Sequence, residues 1–457
     1  MTGDRGPARR AVEAFSMSSV VLEHKEEVEP FRHKLRLHIM RLLEEVGSIS
    51  VGQAVKHCLN CDPAFLLEVM EELREEGCLA RTEEGEAAYA LRNRAVPPAR
   101  RSDGDEQKSS RYQPKIPATG LKRIAEDILS LLPEASPVHS QWWYALPSYA
   151  RLIALLESMD AGDIPTAFLG CATLGSVFSQ LHRNHILMVD LDRHLLDVLS
   201  PACSSEVEFL CADIGHEVPR DYAYQYGVVF ADPPWGRAGL LDFLRGGAAL
   251  LARGGRMVIS FPQEFTRPSI ASERQGFLQL AQTLGLEHDG LIPSATEYGV
   301  PVFEYLAYRR LGITLNSPWR RGDLYLFRRT QKVSSAFFQS ADNRRFTWDQ
   351  FVLGGRRLFL KRDGVNEKGP PEISHIPGLH SFLLPSTSSR CSAWKHASLV
   401  STRNCVALAS GRGALAEILS TLSSSPSPRR WALSSSGASC GSKIAASIKE
   451  MLADRIW

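Results

Sequence analysis

Between residues 120 and 308 short apolar runs recur between longer helical patterns, and this alternation constrains the fold of the 457-residue chain more than any other feature. The runs are Thr166–Leu169, Ile186–Val189, Val207–Leu210, Val228–Ala231 and Arg256–Phe261. Strands separated by helices predict an α/β fold: a mostly parallel, doubly wound, Rossmann-like sheet with helices on both faces. Such sheets bind ligands beyond the carboxyl ends of their strands, so the residues that follow each run are the candidates for chemistry.

The first run ends in Phe168-Leu169-Gly170-Cys171, where a glycine lets the backbone approach a ligand. Its glycine spacing differs from G-x-G-x-x-G, which argues against a nicotinamide cofactor. The second run ends in Asp190-Leu191-Asp192, at the distance from Gly170 where an acid accepts ribose hydroxyls. After the third comes Asp213, placed to accept a hydrogen bond from an adenine amine. Gly170, Cys171, Asp190, Asp192 and Asp213 are therefore the candidate nucleoside-binding residues. Cys171 has no local histidine to activate it and reads as small-residue packing rather than as a nucleophile.

The fourth run ends in Ala231-Asp232-Pro233-Pro234-Trp235-Gly236, the most informative segment. Consecutive prolines fix two φ angles and remove two donors, so the loop has few conformations to lose. It holds a carboxylate and free carbonyls at constant distance from an incoming amine. A nitrogen nucleophile must lose a proton and be aimed at its carbon target. Asp232 and the Pro233 carbonyl can accept its two N–H bonds, while Trp235 stacks on a planar base or an alkylammonium. These three are the candidate catalytic residues. The segment, with the strand ends before it, points to an S-adenosyl-type nucleoside and an amine acceptor, and no metal is called for, because the leaving thioether is activated by the charge on its sulfonium.

Upstream, residues 1–29 read as a flexible leader. Residues 30–92 read as three helices followed by a hairpin, a winged-helix pattern, with Leu35, Ile39, Leu42 and Leu43 in the first helix and Leu66, Val69, Met70 and Leu73 in the third. The third helix carries Glu68, Glu71, Glu72, Glu75 and Glu76, which phosphates would repel, so a protein–protein or homodimer contact is favoured over nucleic acid. Cys58 and Cys61 have the spacing of half a zinc knuckle but no second pair follows, and they read as core or surface thiols. Residues 93–119 form a polar linker, 120–310 the catalytic domain, 311–380 a basic β-rich extension, and 381–457 a serine-rich, partly disordered tail with short helices.

Charge is divided along the chain. Residues 1–308 hold 30 Lys/Arg against 42 Asp/Glu, whereas residues 309–362 hold 13 against 3. An acidic body suits a small cationic amine. The arginine pairs at 309–310, 320–321, 328–329, 344–345 and 356–357 read as a solvated surface, with nucleic-acid binding the alternative. No apolar run approaches the ~18 residues of a membrane span. The N-terminus carries no continuous apolar core, so no secretory signal is expected. Nine scattered cysteines suit reduced thiols in the cytoplasm.

Several of these segments together carry a resemblance. They are the winged-helix start, the linker, Gln141-Trp142-Trp143-Tyr144-Ala145-Leu146-Pro147, the Leu169-Gly170 strand end, Val189-Asp190-Leu191-Asp192, Ala231-Asp232-Pro233-Pro234 and Thr296-Glu297-Tyr298. In this order they resemble the branched-chain polyamine synthases (bis(aminopropyl)spermidine synthases), and Asp-Pro-Pro-Trp also resembles class I amino-methyltransferases. The resemblance implies aminopropyl transfer from decarboxylated S-adenosylmethionine to a polyamine-like amine. It implies that Gly170, Asp190 and Asp213 hold the nucleoside, that Asp232 sits at the reacting nitrogen, and that Gln141, Tyr144, Glu297 and Tyr298 line the acceptor side, with Trp235. Where the family carries Gly-Asp-Asp-Asp, this chain has Gly170-Cys171-Ala172-Thr173. That loss makes S-adenosylmethionine-dependent N-methyl transfer to a small amine, nucleobase or peptide amine the rival reading. A non-catalytic winged-helix protein that binds nucleic acid ranks third.

Overall fold

The computed structural model describes residues 25–58, 60–82, 88–92, 118–215, 220–310, 312–315, 318–331, 348–362, 369–377, 379, 383, 396–424 and 438–453. Residues 1–24, 93–117 and Arg344-Arg345 lie outside these residues, whereas 25–29 of the expected leader and 118–119 of the expected linker are the first residues of helices.

The N-terminal unit runs α1 (Lys25–Val46), β1 (Ser48–Ser50), α2 (Val51–His57), α3 (Pro63–Glu75), β2 (Leu79–Thr82) and β3 (Ala88–Leu91). Its helix starts are written locally. Ser50 and Gln53 form a reciprocal capping box, and Asp62 caps α3 with Pro63 in the first turn. Gly47 and Gly77 turn the chain with positive φ after α1 and α3. The strands form an antiparallel sheet in the order β1-β3-β2, over a core that includes Leu35, Ile39, Leu43, Leu66, Val69 and Met70. Cys58 and Cys61 belong to that core, and burial pushes the Cys58 thiol up to about 12. The acidic face of α3 is engaged inside the unit. Arg32 holds Glu68 and Glu72, Arg36 holds Glu76, and Arg74 and Arg81 hold Glu71.

The central unit continues with α4 (Ala118–Leu131), α5 (Leu146–Glu157), β4 (Thr166–Leu169), α6 (Ala172–Leu181), β5 (Ile186–Asp190), α7 (Arg193–Leu199), β6 (Val207–Cys211), β7 (Tyr226–Ala231), α8 (Arg237–Leu250), β8 (Leu251–Pro262), α9 (Ile270–Thr283), β9 (Leu286–Tyr298), α10 (Val302–Arg310) and β10 (Arg320–Arg329). The seven strands are ordered β6-β5-β4-β7-β8-β10-β9. Strands β4 to β8 pair in parallel, and β10 runs antiparallel between β8 and β9. Successive strand residues alternate between two cores. Phe168, Met188, Val228 and Phe230 face one, and Leu169, Leu187, Val229 and Ala231 face the other, which is why these strands are apolar throughout. The chain order reverses at β4, which lies between β5 and β7, and there the strand ends open a crevice.

Two larger differences from the sequence expectation lie towards the C-terminus. Residues 320–329, expected in a basic extension, are an interior strand of the main sheet, paired along both edges. The expected serine-rich tail contributes folded structure. Together with β11 (Trp348–Leu353) and β12 (Arg356–Lys361), the elements β13 (Glu372–Ser374), β14 (Leu399–Ser401) and β15 (Val406–Ser410) make a five-stranded antiparallel sheet, ordered β11-β12-β14-β15-β13. On it pack α11 (Arg412–Ser423) and α12 (Ala438–Leu452), through Leu415, Leu419, Ile448 and Met451. Its polar residues are partly internal: Ser401 and Thr402 are fully buried and donate to the Met451 carbonyl and to Glu134. Buried hydroxyls that satisfy backbone groups look, in composition, like a solvated linker.

The arginine pairs are likewise not simply a solvated surface. Arg329 donates to the Ala248 and Leu251 carbonyls, Arg310 to that of Leu383 and Arg356 to that of Leu452, while Arg357 is buried. Among the described residues no helix is long and apolar enough to cross a membrane.

Candidate active site

Parallel pairing aligns the candidate strand ends. Leu169 is in register with Val189 on one side and Ala231 on the other, and Asp190 with Cys211. Gly170, Asp190, Asp213 and Asp232 therefore emerge on one edge of the sheet. Gly170 has φ +64°, and a Cβ there would lie 2.7 Å from Phe243 and 2.9 Å from the Asp232 carbonyl. Only glycine permits this contact between the first and fourth strand ends. The Asp232 N–H closes it by donating to the Leu169 carbonyl at 3.0 Å.

Asp232 receives its hydrogen bond from Tyr298, whose hydroxyl lies 2.7 Å from Oδ1 and 3.0 Å from Ser260 Oγ. Burial pushes the carboxyl up to about 6, against the opposing pull of its hydroxyl partners. Tyr144 stacks on Tyr298 with ring centres 5.1 Å apart and is electrostatically coupled to Asp232, although its hydroxyl makes no hydrogen bond of ordinary geometry. Burial, followed by the nearby carboxylate, pushes both phenols well above their usual range. Trp235 meets Tyr298 edge-on at 5.5 Å. Asp232, Trp235, Tyr144 and Tyr298 are thus brought together, with Pro233 buried beside them. Ser260, absent from the sequence expectation, joins them through β8. Next to it Gly322 of β10 has no room for a side chain, since a Cβ would lie 2.7 Å from Ser260 Oγ and 3.3 Å from Trp235.

On the side where a nucleoside is expected, Asp190 accepts the Asp192 N–H at 2.9 Å, and burial pushes its carboxyl up to about 7. A diol donating two hydrogen bonds would offset that desolvation, so the position fits a ribose. Asp213 accepts the Gly215 N–H at 3.2 Å. Cys171 is buried, its thiol 3.7 Å from the Phe230 carbonyl and pushed well above its ordinary value by burial, as packing rather than nucleophilic chemistry requires.

Three expected site residues are engaged by other groups of the protein. Asp192, expected at the nucleoside, uses Oδ1 to cap α7 through the Leu195 N–H, while Oδ2 takes Arg357 and Gln141. Gln141, expected on the acceptor side, is spent in the same network. Its Nε2 donates to Asp192 at 2.7 Å, and its Oε1 accepts from Ser136 N–H and Arg357. The Asp192 and Arg357 side chains are both 0% exposed. Burial pushes the Asp192 carboxyl upward, but the guanidinium and its hydrogen bonds outweigh that and hold it below the ordinary range. Glu297, also expected at the acceptor, is flanked by Arg321 at 2.9 Å and Arg151 at 3.7 Å. Charge requirements inside the protein claim these groups first.

No family model matches the sequence, and no curated protein matches it. Among the solved structures that resemble its fold are two forms of one enzyme. One is the branched-chain polyamine synthase of Thermus thermophilus, in complex with N4-aminopropylspermidine and 5′-methylthioadenosine. It has a TM-score of 0.52 and 19% identity, covering 68% of this chain and 90% of that one. The other is a mutein of the same enzyme, at 0.51 and 18%, covering 73% and 98%. The likeness is one of fold. It agrees with the strand order, a seven-stranded sheet of class I methyltransferase type whose last strand is inserted antiparallel.

Proposed function

We propose that the chain is a transferase that alkylates an amine nitrogen with an S-adenosyl nucleoside as group donor. The observation that carries this reading is Asp232, a carboxyl raised to about 6, hydrogen-bonded to phenol Tyr298 and set beside Trp235 at the switch point of the sheet. The amine nitrogen forms its new bond to the carbon on the sulfonium. The carbon–sulfur bond breaks, its electron pair stays on a neutral thioether, and the nitrogen's proton passes to Asp232. Asp232 and the Pro233 carbonyl would orient the two N–H bonds and Trp235 would wall the acceptor. Gly170, Asp190 and Asp213 would hold the nucleoside.

Aminopropyl transfer from decarboxylated S-adenosylmethionine is the reading that the overall likeness to a polyamine synthase supports. Methyl transfer from S-adenosylmethionine is supported by the carboxylate-free segment Cys171-Ala172-Thr173. The N-terminal unit is read as a winged helix that makes a homodimer contact, and the protein as cytoplasmic. Incubation with each donor and a panel of amines tests the reading: 5′-methylthioadenosine as by-product identifies aminopropyl transfer and S-adenosylhomocysteine methyl transfer. If neither nucleoside binds by calorimetry, the reading fails.

A further inference from the structure

Arg320, at the start of β10, lies among three indoles. Its guanidinium carbon is 4.0 Å from the Trp142 ring centre, 5.3 Å from that of Trp235 and 5.4 Å from that of Trp319. The Glu304 carboxylate is 3.9 Å away, and the arginine side chain is 26% exposed. Several aromatic faces with a carboxylate behind them form the environment that recognises alkylammonium ions. Here a strand of the same chain fills it with its own cation, and one of its walls, Trp235, is the wall of the Asp232 site. A further acid nearby, Glu297, is similarly committed, to Arg321 and Arg151. The turn into α6 after β4 supplies no carboxylate at 171–173. A polycation entering beside Asp232 would have to displace a guanidinium from three rings or lie next to it as a like charge.

We propose that Arg320 is a specificity residue that occupies an alkylammonium cage, so that the acceptor is an amine with no charged group beyond the nitrogen that reacts. This rests on the amine-alkylation reading and narrows it to neutral or singly charged acceptors.

The experiment titrates the full chain, wild type and Arg320→Ala, with spermidine, following heat and tryptophan fluorescence. 5′-Methylthioadenosine and S-adenosylhomocysteine are titrated separately. Wild type is expected to bind spermidine weakly or not at all, and Arg320→Ala to bind it roughly tenfold or more tightly, with indole quenching. Arg320→Lys, which keeps a caged cation, should behave as wild type. Should Arg320→Ala lose its fold by circular dichroism, Arg320→Gln carries the same comparison, since it drops the charge and keeps most of the side chain. Tight spermidine binding by wild type overturns the proposal. So does a folded, charge-removed variant that binds no better than wild type. Loss of both nucleosides would sink the alkylation reading while leaving the cage test intact, because spermidine binding to the emptied cage needs no nucleoside.

Discussion

At the end of β5, Asp192 faces a guanidinium, an amide and a backbone N–H, with every oxygen engaged. At the end of β7, Asp232 faces a phenol and, through it, a serine. Both are aspartates that follow a buried parallel strand on the same edge of the sheet, and sequence alone singled out both. Their surroundings push them apart: Asp192 is held below the ordinary carboxylate range and Asp232 is raised to about 6. A carboxylate tied to a buried arginine is locked as an anion and serves the fold. One held only by hydroxyls retains a proton affinity that catalysis can use. The partner, more than the position, decides the role.

The largest effect that can break this comparison is expected at the β5 end. Arg357→Met leaves Asp192 buried without a cation and should destabilise the protein by about 3–5 kcal/mol in urea or thermal unfolding. Adding Asp192→Asn to it should recover much of that loss, since the uncompensated charge is gone. A single-variant cost below about 1 kcal/mol would mean that the pair is hydrated, and the contrast with Asp232 would collapse.

Next in size is the β7 end. Asp232→Asn keeps the shape of the loop but cannot take a proton, so turnover should fall by about 10²-fold or more with nucleoside affinity nearly unchanged. Stability should respond in the opposite sense to Arg357→Met. Because the folded carboxyl binds its proton more tightly than the unfolded one, its contribution is present at low pH and is lost as pH rises from about 4 through about 6. The asparagine variant should therefore gain on wild type across that window and hold the gain above it. Unfolding midpoints measured at a series of pH values from 4 to 8 would show whether the gap opens in that direction.

Tyr298→Phe sharpens the contrast further. The phenol donates to the ionised form of Asp232 and so lowers its pKa, and removing it should move the acid limb of the rate profile upward by up to about one pH unit. The same substitution does not touch the Asp192 network. An acid limb that stays in place would transfer the role of hydroxyl partner to Tyr144 or Ser260.

How much of this was written in the sequence differs between the two ends as well. The parallel strands were legible because burial on both faces makes the runs of β4, β5 and β7 apolar, with the half-buried β6 and the end of β8 continuing the alternation, and Asp232 because two prolines rarely follow a strand without reason. Tyr298 and Tyr144 were legible only through the resemblance. The place of β10 was not, since a strand's own residues do not say which neighbours it will lie between. Arg357 was also hidden. A buried arginine and an exposed one are the same letter, and the partner that explains it lies 165 residues away. The Arg320 cage failed to show for the same reason, because two of its walls, Trp142 and Trp235, lie far from it in the sequence.

The smallest expected effect tests whether the comparison depends on burial rather than on charge pairing as such. Arg328 and Glu287 form an ion pair at 3.3 Å across β10 and β9, but their side chains are 49% and 55% exposed. Water screens such a pair and both long side chains lose freedom in making it, so the Coulomb gain is nearly offset. Arg328→Ala should change stability by less than about 0.5 kcal/mol, with little dependence on added salt. It shares with Arg357→Met the loss of an arginine from an acid in cross-strand or cross-domain contact, and differs from it in solvent access. A cost close to that of Arg357→Met would show that the extended basic stretch acts as a charge network throughout, and the distinction between the locked and the titrating aspartate would have to be sought in that network instead of in local burial.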